Sequence, residues 1–271
     1  MRKIYHKNRI RGITYFTSIL LLGVLAFGLA SCSGGTKQTN EELLKSAIEA
    51  ATGPKADWQK ARSYAFKAVK QKSDDANARV MLAISLEQCG QASNAIDEIR
   101  KAVELDPKNF MAQFTKGRML FENDRIGDSI APLKEARKLK PDNANALLLL
   151  ARSSAALGRN KEAAEYYATL AKLPNYKEKA VPFNELAVLY VNQKDYQKAS
   201  LFFQEAYKRA PNDHIVVLNI GIFCDVYLKN PAYAIKHYNR YQELTLSNPE
   251  LATVRNKLKK RIEFLKTANK L

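Results

Sequence analysis

A chain of 271 residues, 46% hydrophobic and with a formal net charge of +17, has the length of one domain or one repeat array and needs no second core. Its excess of 44 Lys+Arg over 27 Asp+Glu would attract nucleic acid, but no nucleic-acid-binding motif accompanies it. Acidic peptides or anionic surfaces are the partners this charge favours.

Residues 1–11 carry Arg2, Lys3, Lys7, Arg9 and Arg11 and no acidic residue, and an apolar run follows from Ile13 to Ala30. A basic region, an apolar region and small residues before a cleavage point form a secretory signal over residues 1–31. Without those five charges the mature chain keeps a net charge of +12. Leu29-Ala30-Ser31-Cys32 resembles a bacterial lipobox. That resemblance implies diacylglycerol transfer to the Cys32 thiol, cleavage before it and acylation of the new amine. It places the protein in the cell envelope, and Ser33 in place of aspartate points to the outer membrane, facing the periplasm. The run also approaches the ~18 apolar residues of a spanning helix, so an uncleaved anchor is the alternative.

Residues 32–40 form a polar tether, and at ~5–6 Å × √n its eight residues after Cys32 reach about 16 Å. Thr39 with Glu42 three residues on fits a capping box that opens a first helix. Leu43, Leu44, Ala47 and Ile48 share one face of it, and Gly53-Pro54 stops it. Trp58, Ala61, Ala65, Phe66 and Ala68 mark its partner helix, ending near Ser73. Trp58 reads as packing or as a ligand platform.

From Ala76 a pattern repeats. Leu82, Ala83, Leu86, Gly90, Ala95, Ile99, Ala102 and Pro107 recur in kind from Phe110, Ala144, Ala180 and His214, at steps of 34, 34, 36 and 34 residues. The clearest copy runs from Ala180 to Pro211. Phe183, Leu186 and Tyr190 are large, Ala187, Ala199 and Ala206 are small, and a turn falls near 193–195. Two helices approach closely only where side chains are small, so each copy reads as an antiparallel pair that needs neighbours to bury its faces. This period and pattern resemble the tetratricopeptide repeat (TPR) family. The resemblance implies an all-α, right-handed superhelical solenoid of TPR helix pairs over residues 41–246, one degenerate repeat and five clear ones.

The last repeat departs from the pattern: Asn230-Pro231 interrupts it, and Ala234 arrives one residue late. Ser247 with Glu250 reads as a second capping box opening a terminal helix within residues 247–271. Leu251, Val254, Leu258, Ile262 and Leu265 form its stripe, and Arg255, Lys257, Lys259, Lys260, Arg261 and Lys266 its other face. Such a helix caps a solenoid. Its charges read as a solvated face or as a contact for anionic lipid.

Chemistry-bearing residues are sparse. Cys89 and Cys224 lie about four repeats apart, too far for a disulfide, and read as small buried hydrophobes. His214 and His237 stand without metal-ligand or triad spacing, and no phosphate loop is present. The expectation is a non-enzyme with no metal and no cofactor.

In the TPR family the A helices line the concave surface, with positions 2, 5, 9 and 12 pointing into it. Carried over residue by residue, this implies a groove of Val80, Ile84, Met111, Phe114, Arg118, Phe121, Leu148, Arg152, Asn184, Val188, Val191, Leu218 and Ile222. The family's chaperone-tail clamp needs Lys and Asn where Val80, Met81 and Ile84 stand, so that specificity is not supported. Arg118 and Arg152, one period apart, suit a partner carboxylate, or pair internally with Glu122 and Glu185. The expected role is a membrane-anchored lipoprotein serving as an adaptor that binds a protein or peptide partner. A pilotin-like role in secretin or type IV pilus assembly, and structural self-association, are the alternatives.

Overall fold

The computed structural model describes residues 38–270, so the signal segment 1–31 and Cys32 lie outside the described residues. The fold is all-α, its helices running in consecutive pairs. The described residues divide into two compact units, one ending at Pro141 and the other beginning at Asp142.

The first unit holds three helix pairs: α1 (Asn40–Thr52) with α2 (Trp58–Gln71), α3 (Ala76–Gln88) with α4 (Ala92–Leu105), and α5 (Phe110–Glu122) with α6 (Ile126–Leu139). The Thr39 box forms as its sequence dictates: Glu42 N–H donates to Thr39 Oγ1 at 3.2 Å, and Thr39 N–H to Glu42 Oε2 at 2.8 Å. Asp75 and Asn109 cap α3 and α5 one-sidedly, each side chain accepting from backbone N–H groups of the first helical turn. Alanine decides how closely the pairs approach. Ala61, Ala83, Ala95 and Ala102 are buried, and Ile84 and Ile99 fill the spaces between them. Trp58 is half-buried and packs on this core.

The second unit holds α7 (Ala144–Ala156) with α8 (Asn160–Lys172), α9 (Val181–Asn192) with α10 (Tyr196–Arg209), α11 (His214–Ile222) with α12 (Pro231–Thr245), and α13 (Ala252–Asn269). Ala187, Ala199 and Ala206 are fully buried where α9 and its neighbours meet α10. Gly53 between α1 and α2 is extended, whereas from α3 onward each turn between paired helices holds one left-handed residue. Gly90 (φ +79°), Asp124 (+60°), Gly158 (+72°), Lys194 (+62°) and Lys229 (+52°) supply it, copy after copy.

The late alanine of the last repeat has a structural counterpart. After α11 the chain makes one π-helical stretch, Phe223–Tyr227, in which Leu228 N–H donates to Phe223 O at 3.1 Å. A π turn absorbs one extra residue without breaking the helix, so Gly221 and Ala234 still reach their packing positions. The second capping box is corrected. Asn248, not Ser247, accepts from Glu250 N–H (3.0 Å), and a 3-10 turn, Pro249–Leu251, precedes α13.

Candidate functional site

In the first unit, Val80, Ile84 and Phe114 are buried, whereas Met111, Arg118 and Phe121 are half-buried. Phe110 and Phe114 stack with ring centroids 5.7 Å apart, and the Lys140 ammonium lies 4.7 Å over the Phe110 ring. In the second unit, Leu148, Asn184, Val191 and Ile222 are buried, and Arg152, Val188 and Leu218 are half-buried. Asn184 Oδ1 accepts from Asn219 Nδ2 at 3.0 Å, tying adjacent repeats together. Seven of the thirteen groove positions are therefore buried within their own units.

Both arginines are engaged within their own unit. Arg118 Nη2 and Nη1 donate to Glu87 at 2.5 and 3.2 Å, and Nη1 also donates to Glu122 at 2.5 Å. Burial disfavours the Arg118 charge, but Glu87 and Glu122 outweigh it and raise its pKa. Burial pushes the Glu122 carboxyl up; Arg118 pulls it back, and Glu87 adds repulsion. Arg152 Nε donates to Glu185 Oε1 at 3.0 Å, and its Nη2 bonds the same oxygen. The Tyr167 hydroxyl donates to the other Glu185 oxygen at 3.4 Å, and burial, then Glu185, drives the phenol well above its usual range. The carboxylate clamp suggested by the spacing is thus filled by this chain's own glutamates. Glu122 and Glu185 were visible alternatives in the sequence. Glu87, one repeat earlier at position 12 of α3, was missed.

The terminal helix also differs from expectation. Arg261 does not belong to a solvated face. It is bidentate to Asp225, which is buried in the π turn. Cys89 is half-buried, Cys224 is buried with its thiol pushed up by that burial, and neither forms a disulfide. His237 meets Tyr207 edge-on, and burial lowers its pKa. His214 packs by Tyr241.

This geometry is a succession of paired helices that repeats along each unit. Family models described as "Tetratricopeptide repeat" match residues 114–177 by one profile, and residues 76–109 and 182–213 by another. No curated protein matches the chain. Among solved structures, PilW, described as a widely conserved type IV pilus biogenesis factor, is similar at a TM-score of 0.67 and 21% identity, over 81% of this chain and 99% of that one. PilF of Pseudomonas aeruginosa gives 0.63 and 18%, over 80% and 97%. YrrB, described as a TPR protein with an unusual peptide-binding site, gives 0.54 and 18%, over 71% and 97%. These likenesses show the fold, and the family matches place tetratricopeptide repeats in residues 76–109, 114–177 and 182–213.

Proposed function

We propose that the chain is a non-enzymatic adaptor of a bacterial envelope, held at a membrane through acylated Cys32 and binding a protein or peptide partner on its A-helix faces. The observation that carries this reading is a set of apolar side chains left partly accessible at the family's contact positions. They are Met111 and Phe121 in the first unit, and Val188 and Leu218 in the second. With both arginines occupied, recognition rests on apolar contact more than on charge. A photo-crosslinking residue replacing Phe121 or Val188 in living cells should give a covalent adduct with one partner. The same residue replacing exposed Lys138 should give none. Equal labelling at all three positions would end the reading.

The anchor is tested separately: Cys32→Ala should abolish fatty-acid labelling and leave a longer precursor. A pilotin-like role is the second reading, supported by the near-complete overlap with PilW and PilF. It requires the adduct to be a secretin subunit. An adduct with a hydrolase or protease supports the general adaptor instead, and adducts with a second copy alone support self-association. The outer-membrane location belongs to the same proposal.

A further inference from the structure

Helix α2 carries Lys60, Arg62, Lys67 and Lys70 and no acidic residue. Arg62, Phe66 and Lys70 follow at intervals of four, so they stack in one row along the helix. Ala61, Ala65 and Ala68 occupy the opposite side and are buried among α1 and α3. Phe66 is 58% exposed. An aromatic ring between two cations one turn away on either side suits an interface that is apolar at depth and anionic above.

The position of this row matters more than its charge. The Asn40 side-chain amide donates to the Ala68 carbonyl at 2.8 Å, so the segment arriving from Cys32 joins the fold beside the C-terminal half of α2. Seven residues separate Cys32 from Asn40, so even full extension could carry Cys32 no more than about 28 Å from it. Acyl chains on Cys32 would hold this end of α2 against the bilayer, where it meets lipid before any protein. Helix α13 is more basic, but its Arg261 is spent on Asp225 and Glu263 interrupts its charge.

We propose that the Arg62–Phe66–Lys70 row, with Lys67 beside it, is a docking face for an anionic phospholipid surface. Phe66 enters the boundary between headgroups and acyl chains, and the cations meet lipid phosphates. This rests on the anchoring reading above, and the test separates the two. Mature acylated protein, beginning at Cys32, is reconstituted into phosphatidylcholine vesicles with or without phosphatidylglycerol, and the mass of the lipidated N-terminus is measured. Trp58→Phe removes the only native tryptophan. Phe66→Trp in that background reports depth through quenching by brominated lipid, and Phe264→Trp in the same background serves as the control.

Phe66→Trp should be quenched severalfold more than the control in phosphatidylglycerol vesicles. High salt, or Arg62→Gln with Lys67→Gln and Lys70→Gln, should remove the difference. Protein that floats with the vesicles while Phe66→Trp stays unquenched, or is quenched equally without anionic lipid, overturns the docking face and leaves the anchor standing. An unmodified Cys32 in protein that does not float overturns the anchor, and the docking face with it.

Discussion

Arg261 of the terminal helix donates two hydrogen bonds, at 2.9 and 2.6 Å, to Asp225 in the π turn, 36 residues earlier. The Tyr238 hydroxyl donates a third at 3.0 Å. Asp225 is 4% exposed, so this network neutralises a carboxylate that would otherwise be costly to bury. Its hydrogen bond to Asp225 raises the Arg261 pKa. The π turn thus does two things: it accommodates an extra residue, and it aims a carboxylate at the cap. Arg261→Met leaves that charge uncompensated and should cost about 3 kcal/mol. Amide exchange along α13 should accelerate first. Asp225→Asn combined with Arg261→Met should recover part of the loss. Unchanged urea unfolding of Arg261→Met would show the pair to be idle.

Gly117 and Gly127 predict opposite signs for the same substitution. A Cβ on Gly117 would lie 2.5 Å from Leu133 Cγ and 3.3 Å from the Leu133 backbone nitrogen, whereas one on Gly127 meets nothing within 4 Å. Gly117→Ala should destabilise by about 1–3 kcal/mol through overpacking. Gly127→Ala should stabilise by up to about 1 kcal/mol, because alanine loses less freedom in a helix. Thermal melts of the two variants against the parent settle both signs.

Much of this was legible before any coordinates. The small residues Gly117, Ala187, Ala199 and Gly221 stand where helices touch, and they are legible because close approach admits few side-chain types. The left-handed turns were half legible: Gly90 and Gly158 announce themselves, but Asp124 and Lys194 adopt the same conformation without a compositional sign. Of the polar contacts, Arg152–Glu185 was legible as an alternative, and the other two were hidden for a different reason. Arg118 meets Glu87, Arg152 meets Glu185 and Arg261 meets Asp225 at separations of 31, 33 and 36 residues. Each is close to one repeat period, so the partners lie on neighbouring layers rather than within one helix. Searching for opposite charges one period apart would have found all three.

Gly158 gives a third prediction. Its φ is +72° and a Cβ there would meet open space, so the cost of Gly158→Ala is conformational alone. It should be about 1–2 kcal/mol, read as a lower urea midpoint with an unchanged slope. Lys194→Gly, at the equivalent turn, should be neutral or stabilising, since it relieves the same strain. A Gly158→Ala protein as stable as the parent would mean that the turn relaxes to another conformation.

Glu98 supplies a pH dependence. Burial raises its carboxyl pKa, but Lys101 and Arg79 outweigh that and hold it below the ordinary 4.5. The unfolded chain therefore binds this proton more readily than the folded one. The stabilisation is present above the unfolded pKa and is lost as pH falls through the folded value. The stability gap between the parent and Glu98→Gln should be fully open at neutral pH and should shrink as pH falls below the ordinary carboxylate range. A gap independent of pH would assign the Glu98 contribution to packing.

The last prediction concerns the arginines that the sequence offered as a ligand clamp. The Arg118 side chain is only 12% exposed and serves two carboxylates, those of Glu87 and Glu122. Removing it leaves two adjacent negative charges with no cation between them, a worse outcome than losing an exposed ion pair. Arg152 is 25% exposed, and Glu185 would keep its hydrogen bond from Tyr167. Arg118→Gln should therefore cost about 3 kcal/mol or more, and Arg152→Gln distinctly less. Replacing Glu87 and Glu122 by Gln as well should restore much of the stability lost in Arg118→Gln, because the repulsion disappears with the charges. Denaturant melts at neutral pH rank the variants directly. If Arg118→Gln melts like the parent but fails to give the crosslinked adduct at Phe121, the guanidinium serves the partner, and the internal pair is only its resting place.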